Sequence, residues 1–101
     1  MEGGKIRITK ASALDSFYII SSKDDAKPVG FFGIRGNELV SLFIEYDERG
    51  KGYGEEVIRL MKEKFDKMGE KLVVVTSTKN VKMQEILELL GFKKYLKYES
   101  V

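Results

Sequence analysis

The chain of 101 residues contains no His, no Cys and no Trp, and a single Pro. Without His it can build no Ser-His-Asp triad and lacks the one side chain that titrates near neutrality. Acid-base work must therefore fall to Glu, Asp, Lys, Tyr or a terminus. Without Cys there is no thiolate nucleophile, no disulfide and no thiolate-rich metal site. Only oxygen-ligated metal chemistry is left, no Asp-x-Asp-x-Asp-Gly loop offers it, and no metal is expected. Charge of one sign is also scarce. Against 18 Lys plus Arg stand 16 Asp plus Glu, a net charge of +2, without the concentrated basic face of a nucleic-acid binder. Long apolar runs are missing as well: Leu72-Val73-Val74-Val75 is too short to span a bilayer, and Met1-Glu2-Gly3-Gly4 lacks the basic and apolar regions of a signal peptide. The expectation is a cytoplasmic protein with neither a membrane nor a nucleic-acid partner, and the absence of Cys is compatible with that address.

Hydrophobic residues at 43% suffice for a packed core, and the length suits one small domain over residues 1–101. Lys5 to Thr9 alternates apolar and polar residues like a half-buried strand, and Phe17 to Ile20 reads as the next. Val29 to Ile34 and Leu39 to Ile44 look like two buried strands joined by a tight turn at Arg35-Gly36-Asn37, so the first half reads as an antiparallel meander. From Gly54 the period becomes helical. Val57, Ile58, Met61, Phe65 and Met68 form the apolar stripe, Glu55, Arg59, Glu63 and Lys67 alternate in charge on the outside, and Gly69 stops the helix. Leu72 to Thr76 reads as a strand buried on both faces, the mark of a β-α-β unit. A second helix follows with Asn80 as N-cap, Met83, Ile86, Leu87 and Leu90 inward and Gly91 at its end, and Phe92 to Tyr98 reads as the last strand.

Chemistry concentrates between Glu38 and Gly54. A strand runs into a short polar turn and then Arg49-Gly50-Lys51-Gly52-Tyr53-Gly54 opens a helix. Glycines at alternate positions leave backbone N–H groups unobstructed where the helix directs its own unpaired N–H groups and positive dipole end. That describes an anion site, most naturally for a diphosphate, with Arg49 and Lys51 as mobile positive charge. The same glycines also suit a plain strand-to-helix turn. A Walker A loop is absent, and Gly50-x-Gly52-x-Gly54 has the wrong spacing for a dinucleotide fingerprint.

Arg49 to Gly54 resembles the Arg/Gln-x-x-Gly-x-Gly/Ala signature of the GNAT superfamily of acetyl-CoA-dependent N-acetyltransferases. Asn80, Ile86, Gly91 and Phe92 fall at the spacings of its later motif, Asn-x-x-Ala-x-x-Leu-Tyr-x-x-x-Gly-Phe. The resemblance covers Pro28 to Tyr98. It implies an α+β fold, a mixed and mostly antiparallel sheet with two helices and a β-α-β cofactor site. It further implies acetyl-CoA with its pantetheine arm along the backbone of Leu42, Phe43 and Ile44, in a splay between that strand and the one at Leu72 to Thr76. The diphosphate would lie on the loop Arg49, Gly50, Lys51, Gly52, Tyr53 and Gly54, and the Asn80 side chain would bond the cofactor. The activity implied is transfer of an acetyl group to an amine by direct attack, and the alternative is a GNAT-shaped coenzyme A-binding module without turnover.

The family's Tyr acid, seven residues after the Asn, is Leu87 here. In the histone-acetylating branch a Glu precedes the strand-ending Val or Ile by six residues. Glu38 stands so before Ile44 as a candidate base, or as a hairpin-end Glu in solvent. Tyr95 and Tyr98 are candidate acids or simply packing residues. Family members place helices between the first two strands, where this chain has only Lys10 to Ser16. Either the acceptor site is open enough for a protein or peptide end as well as a small amine, or a homodimer completes it.

Overall fold

The computed structural model describes residues 1–11, 16–77, 79–94 and 98–100. In chain order its elements are strands β1 (Ile6–Lys10), β2 (Phe17–Ser22), β3 (Pro28–Arg35) and β4 (Glu38–Ile44), a 3-10 turn (Tyr46–Glu48) and helix α1 (Tyr53–Lys67). Strand β5 (Val73–Val74), helix α2 (Val81–Leu89), β6 (Phe92–Lys94) and β7 (Tyr98–Ser100) complete it. The strands form one sheet in the order β1-β2-β3-β4-β5-β7-β6. Every neighbouring pair is antiparallel except β4 and β5. The expected α+β architecture, meander first and β-α-β unit second, is the one adopted.

Local chemistry explains the elements. Arg35 lies opposite Glu38, which leaves Gly36-Asn37 as a two-residue hairpin turn with Gly36 at φ +64°, the left-handed backbone such turns require. Helix α1 carries Glu55 and Glu56 in its first turn and Lys64 and Lys67 in its last, signs that suit the helix dipole. It ends where Gly69 enters the left-handed region at φ +75°, with Gly69 N–H bonded to Asp66 O at 3.1 Å and Glu70 N–H to Phe65 O at 2.9 Å. This paired closure satisfies carbonyls that the helix would leave bare. Met68, expected on the apolar stripe, is the C-cap and 57% exposed, because the left-handed turn begins before the stripe can return to the core.

Directly paired residues of adjacent strands share a face. Ile8 and Ile20 are such a pair, and they pack with Ile6, Phe32 and Leu39 against Val57, Ile58, Met61 and Phe65 of α1 and Leu87 of α2. Ile19, Phe31 and Phe43 occupy the opposite register. There Phe31 is 38% and Phe43 37% exposed, so the expectation that β3 and β4 are buried throughout holds for one face only. Phe17, Phe31 and Phe43 form an exposed aromatic strip, with ring centroids 6.4 and 5.3 Å apart.

The strand expected over Leu72 to Thr76 pairs only at Val73–Val74, although both residues are buried as a two-sided strand should be. The cause lies in β4. Between the pairs Gly33–Val40 and Phe31–Phe43, β3 has one residue and β4 two, a bulge in which Ser41 takes φ +54°. Bulges bend the strand that carries them. The bonds from Val73 N–H to Asn37 O and from Val75 N–H to Leu39 O, at 2.9 and 3.0 Å, are the last before β4 and β5 diverge. The expected final strand, Phe92 to Tyr98, is instead two strands. Phe92 pairs with Ser100 and Lys94 with Tyr98, while Tyr95 to Lys97 lie outside the described residues. Folding back brings β7 against the outer edge of β5.

Phe32, fully buried and stacked on Tyr18 at 5.2 Å, is expected to cost about 3–5 kcal/mol on replacement by Ala. Phe31→Ala, on the open face, should cost clearly less. Urea denaturation of the two variants checks the assignment of faces.

Candidate functional site

Where β4 and β5 part, a cleft of about 820 Å³ opens, within the size range of small-molecule sites. Leu42, Phe43 and Ile44 of β4 form one wall, Glu48 to Gly54 and Glu55 bound the second except for Lys51, and Ser77, Lys79, Asn80, Lys82, Met83 and Ile86 form the opposite lip. All but one of the sequence-predicted cofactor residues thus meet around one space.

The turn into α1 is shaped by Gly50 at φ +81° and Gly52 at φ +84°. Gly52 is the N-cap of α1, and no side chain caps this end. The first helical bond is Glu56 N–H to Gly52 O at 3.1 Å. Consequently the N–H groups of residues 50 to 55 have no acceptor among the described residues. Helix α2 is finished differently, since Asn80 Oδ1 accepts from Met83 N–H at 3.2 Å. The expected N-cap role of Asn80 is therefore present, and the residue also lines the cleft. A row of N–H groups without protein acceptors among the described residues, at the positive end of a fifteen-residue helix, can receive an anion.

Both cations of this turn, expected as mobile positive charge, have partners within the fold. Arg49 Nε donates to Ile44 O at 2.9 Å, and its guanidinium carbon lies 5.5 Å from the Phe43 ring centre and 5.6 Å from that of Tyr46. The group is wedged between two aromatic faces, an arrangement cations favour. Lys51 lies outside the cleft wall and donates to Glu48 Oε2 at 2.8 Å. Glu48 also receives Lys27 at 3.4 Å and keeps only 12% of its side chain exposed. The hydrogen bond from Lys51 holds the Glu48 carboxyl below its ordinary range, against an opposing pull from partial burial. The same bond raises Lys51 above the usual lysine range. Lys5 braces the turn from outside, its Nζ donating to Lys51 O at 3.0 Å and its N–H to both Glu56 carboxylate oxygens at 3.0 and 3.2 Å.

Glu38, the candidate base, is not part of the cleft wall. It opens β4 opposite Val73, at the closed end of the splay, with its carboxylate 3.2 Å from Arg35. Tyr95, the candidate acid, lies outside the described residues, as do the side-chain surroundings of Tyr98. Leu87 is fully buried, so the position of the family's Tyr serves the core. Glu48, Ser77, Lys79 and Lys82 join the cleft without having stood out in the sequence. The three-residue spacing of Glu48 and Lys51 was the one visible signal among them.

The FR47-like protein family matches residues 30–101, and the chain belongs to that family, within the GNAT superfamily. Solved structures share the fold. A protein from Bordetella pertussis assigned to the GNAT acetyltransferase family aligns with a TM-score of 0.68 at 18% identity, over 84% of this chain and 64% of that one. A GNAT-family acetyltransferase from Bacillus anthracis gives 0.64 at 16%, over 78% and 52%. An IAA acetyltransferase from Bacillus cereus gives 0.64 at 21%, over 78% and 55%. The chain thus spans between about half and two thirds of the length of these proteins, and at such identities the likeness is one of fold. No curated protein sequence matches the chain.

A carboxyl with a lowered pKa in the folded state stabilises the fold above its unfolded pKa, and that contribution is lost as pH falls through the folded value. Melting temperature should therefore drop on acidification below the usual carboxylate range, and drop less in Glu48→Gln. Gly52→Ala should destabilise by roughly 1–2 kcal/mol, because it places a Cβ in the left-handed region and 3.2 Å from Lys5 Nζ. Gly54→Ala, whose Cβ would meet only contacts at 3.9 Å, should be tolerated in the same denaturation assay.

Proposed function

We propose that the chain is an acetyl-CoA-dependent N-acetyltransferase whose cofactor lies in the cleft between β4 and β5. The observation that carries this reading is the row of acceptor-less N–H groups at residues 50 to 55, placed at the mouth of that cleft. These groups hold the diphosphate, and the Asn80 amide donates to the cofactor from the opposite lip. The β4 edge beyond Leu39, which β5 no longer pairs, offers its backbone to the pantetheine arm, with Leu42, Ile44, Met83 and Ile86 as apolar walls. The thioester supplies an already activated acyl group. What the chain must add is position, which can supply much of the acceleration, and a path for the proton lost by the attacking ammonium.

Glu38 is the proposed proton acceptor, acting through water, since about 13 Å of strand separates it from Leu42 at ordinary rise per residue. The acceptor is an amine on a protein, peptide or small molecule that approaches over the open sheet face beside Phe43, either on one chain or completed by a second copy. A cytoplasmic address accompanies this reading. Among the described residues no helix is long and apolar enough to cross a membrane. A second reading, a coenzyme A-binding module without turnover, draws on the burial of Leu87 where an acid would stand.

Calorimetry with acetyl-CoA is expected to show binding, and thiol release against a panel of amines, peptides and polyamines to show turnover. Glu38→Gln should lower turnover by about a hundredfold, the lower end for a lost general base, with cofactor affinity unchanged. Binding without thiol release for any acceptor selects the module instead. No heat at millimolar acetyl-CoA overturns both readings.

A further inference from the structure

Resting on the reading of the cleft as a coenzyme A site, the distribution of charge around it identifies a further subsite. Coenzyme A carries a diphosphate and a third phosphate on its ribose. The N–H row at the head of α1 provides for the diphosphate, and the third group, with its own charge of about −1.5 to −2, needs cations elsewhere. Those of the signature turn are committed. Arg49 is held by Ile44 O and two aromatic rings, and Lys51 is bound to Glu48. Two cations of the cleft wall, Lys79 and Lys82, form no ion pair with a described residue. Both are exposed, and they flank Asn80 on the lip across from the glycine turn.

We propose that Lys79 and Lys82 form the subsite for the ribose 3′-phosphate, so that the cleft distinguishes coenzyme A from its dephospho form. Lysines suit the task because each is a compact point charge on a flexible stem. Lys82 also stands in the first turn of α2, where the helix dipole adds to its attraction for an anion. Exposure to solvent makes this contact sensitive to salt.

The experiment is calorimetry of coenzyme A and dephospho-coenzyme A with the unmodified chain and with Lys79→Gln/Lys82→Gln, at low and at high salt, with melting temperatures confirming that the variant folds. The unmodified chain is expected to prefer coenzyme A about tenfold, a difference of about 1.4 kcal/mol. That preference should shrink with salt. In the double variant coenzyme A should fall to the affinity of the dephospho form, which itself stays unchanged. Equal binding of both ligands by the unmodified chain, or a preference kept in the variant, overturns the subsite while leaving the cleft reading intact. Binding of neither ligand overturns both.

Discussion

Two hydrogen-bonded residue pairs are all that β4 and β5 share, and the site depends on where that pairing stops. Parallel neighbours inside a sheet normally satisfy each other's backbone along their length, so divergence has a local cause. Here it is one extra residue in β4, which puts Ser41 in a backbone region that costs a non-glycine residue of order 1–3 kcal/mol. The packed core on either side, with Leu39 before the bulge and Ile44 after it against α1, holds the distortion in place. Past the bulge the edge of β4 is bare, the glycine turn swings α1 under it, and α2 closes the far side.

The two helices show how selectively the chain finishes its backbone. α2 is capped by Asn80 and α1 is not. Leaving the head of the longer helix open is a local exception to that capping, and it faces the cleft. The charges nearby respect that exception. Glu48 would repel an anion if it stood alone, but Lys27 and Lys51 neutralise it. Arg49, packed on Phe43 and Tyr46, fixes the turn to the end of β4.

Most of the architecture was legible from periodicity. The meander, both helices, their stops at Gly69 and Gly91, and the two-sided burial at Val73–Val74 follow from patterns of spacing two and 3.6. What escaped were features set by tertiary geometry. A bulge leaves no mark in composition, so β5 looked longer than its pairing. Nothing in Phe92 to Tyr98 announces a reversal, because the need for one arises from the unpaired edge of β5. Phe31 and Phe43 read as core because hydrophobicity does not reveal that α1 and α2 share a face. In the site, positions with backbone roles were readable from glycine spacing, whereas the side-chain engagements of Arg49 and Lys51 depend on partners brought together by folding. Lys5, 46 residues from its carbonyl partner, is the extreme case.

That bond has a thermodynamic consequence. Lys5 grips the glycine turn with its side chain and the first turn of α1 with its backbone, so the start of β1, a strand at the outer limit of the sheet, is fastened to the loop that presents the N–H row. Whatever free energy an anion gains from finding that loop already ordered, it must return by holding β1 more firmly in place, since coupling between two sites is reciprocal. Fraying of this edge strand is thereby tied to occupancy of a cleft that β1 does not line.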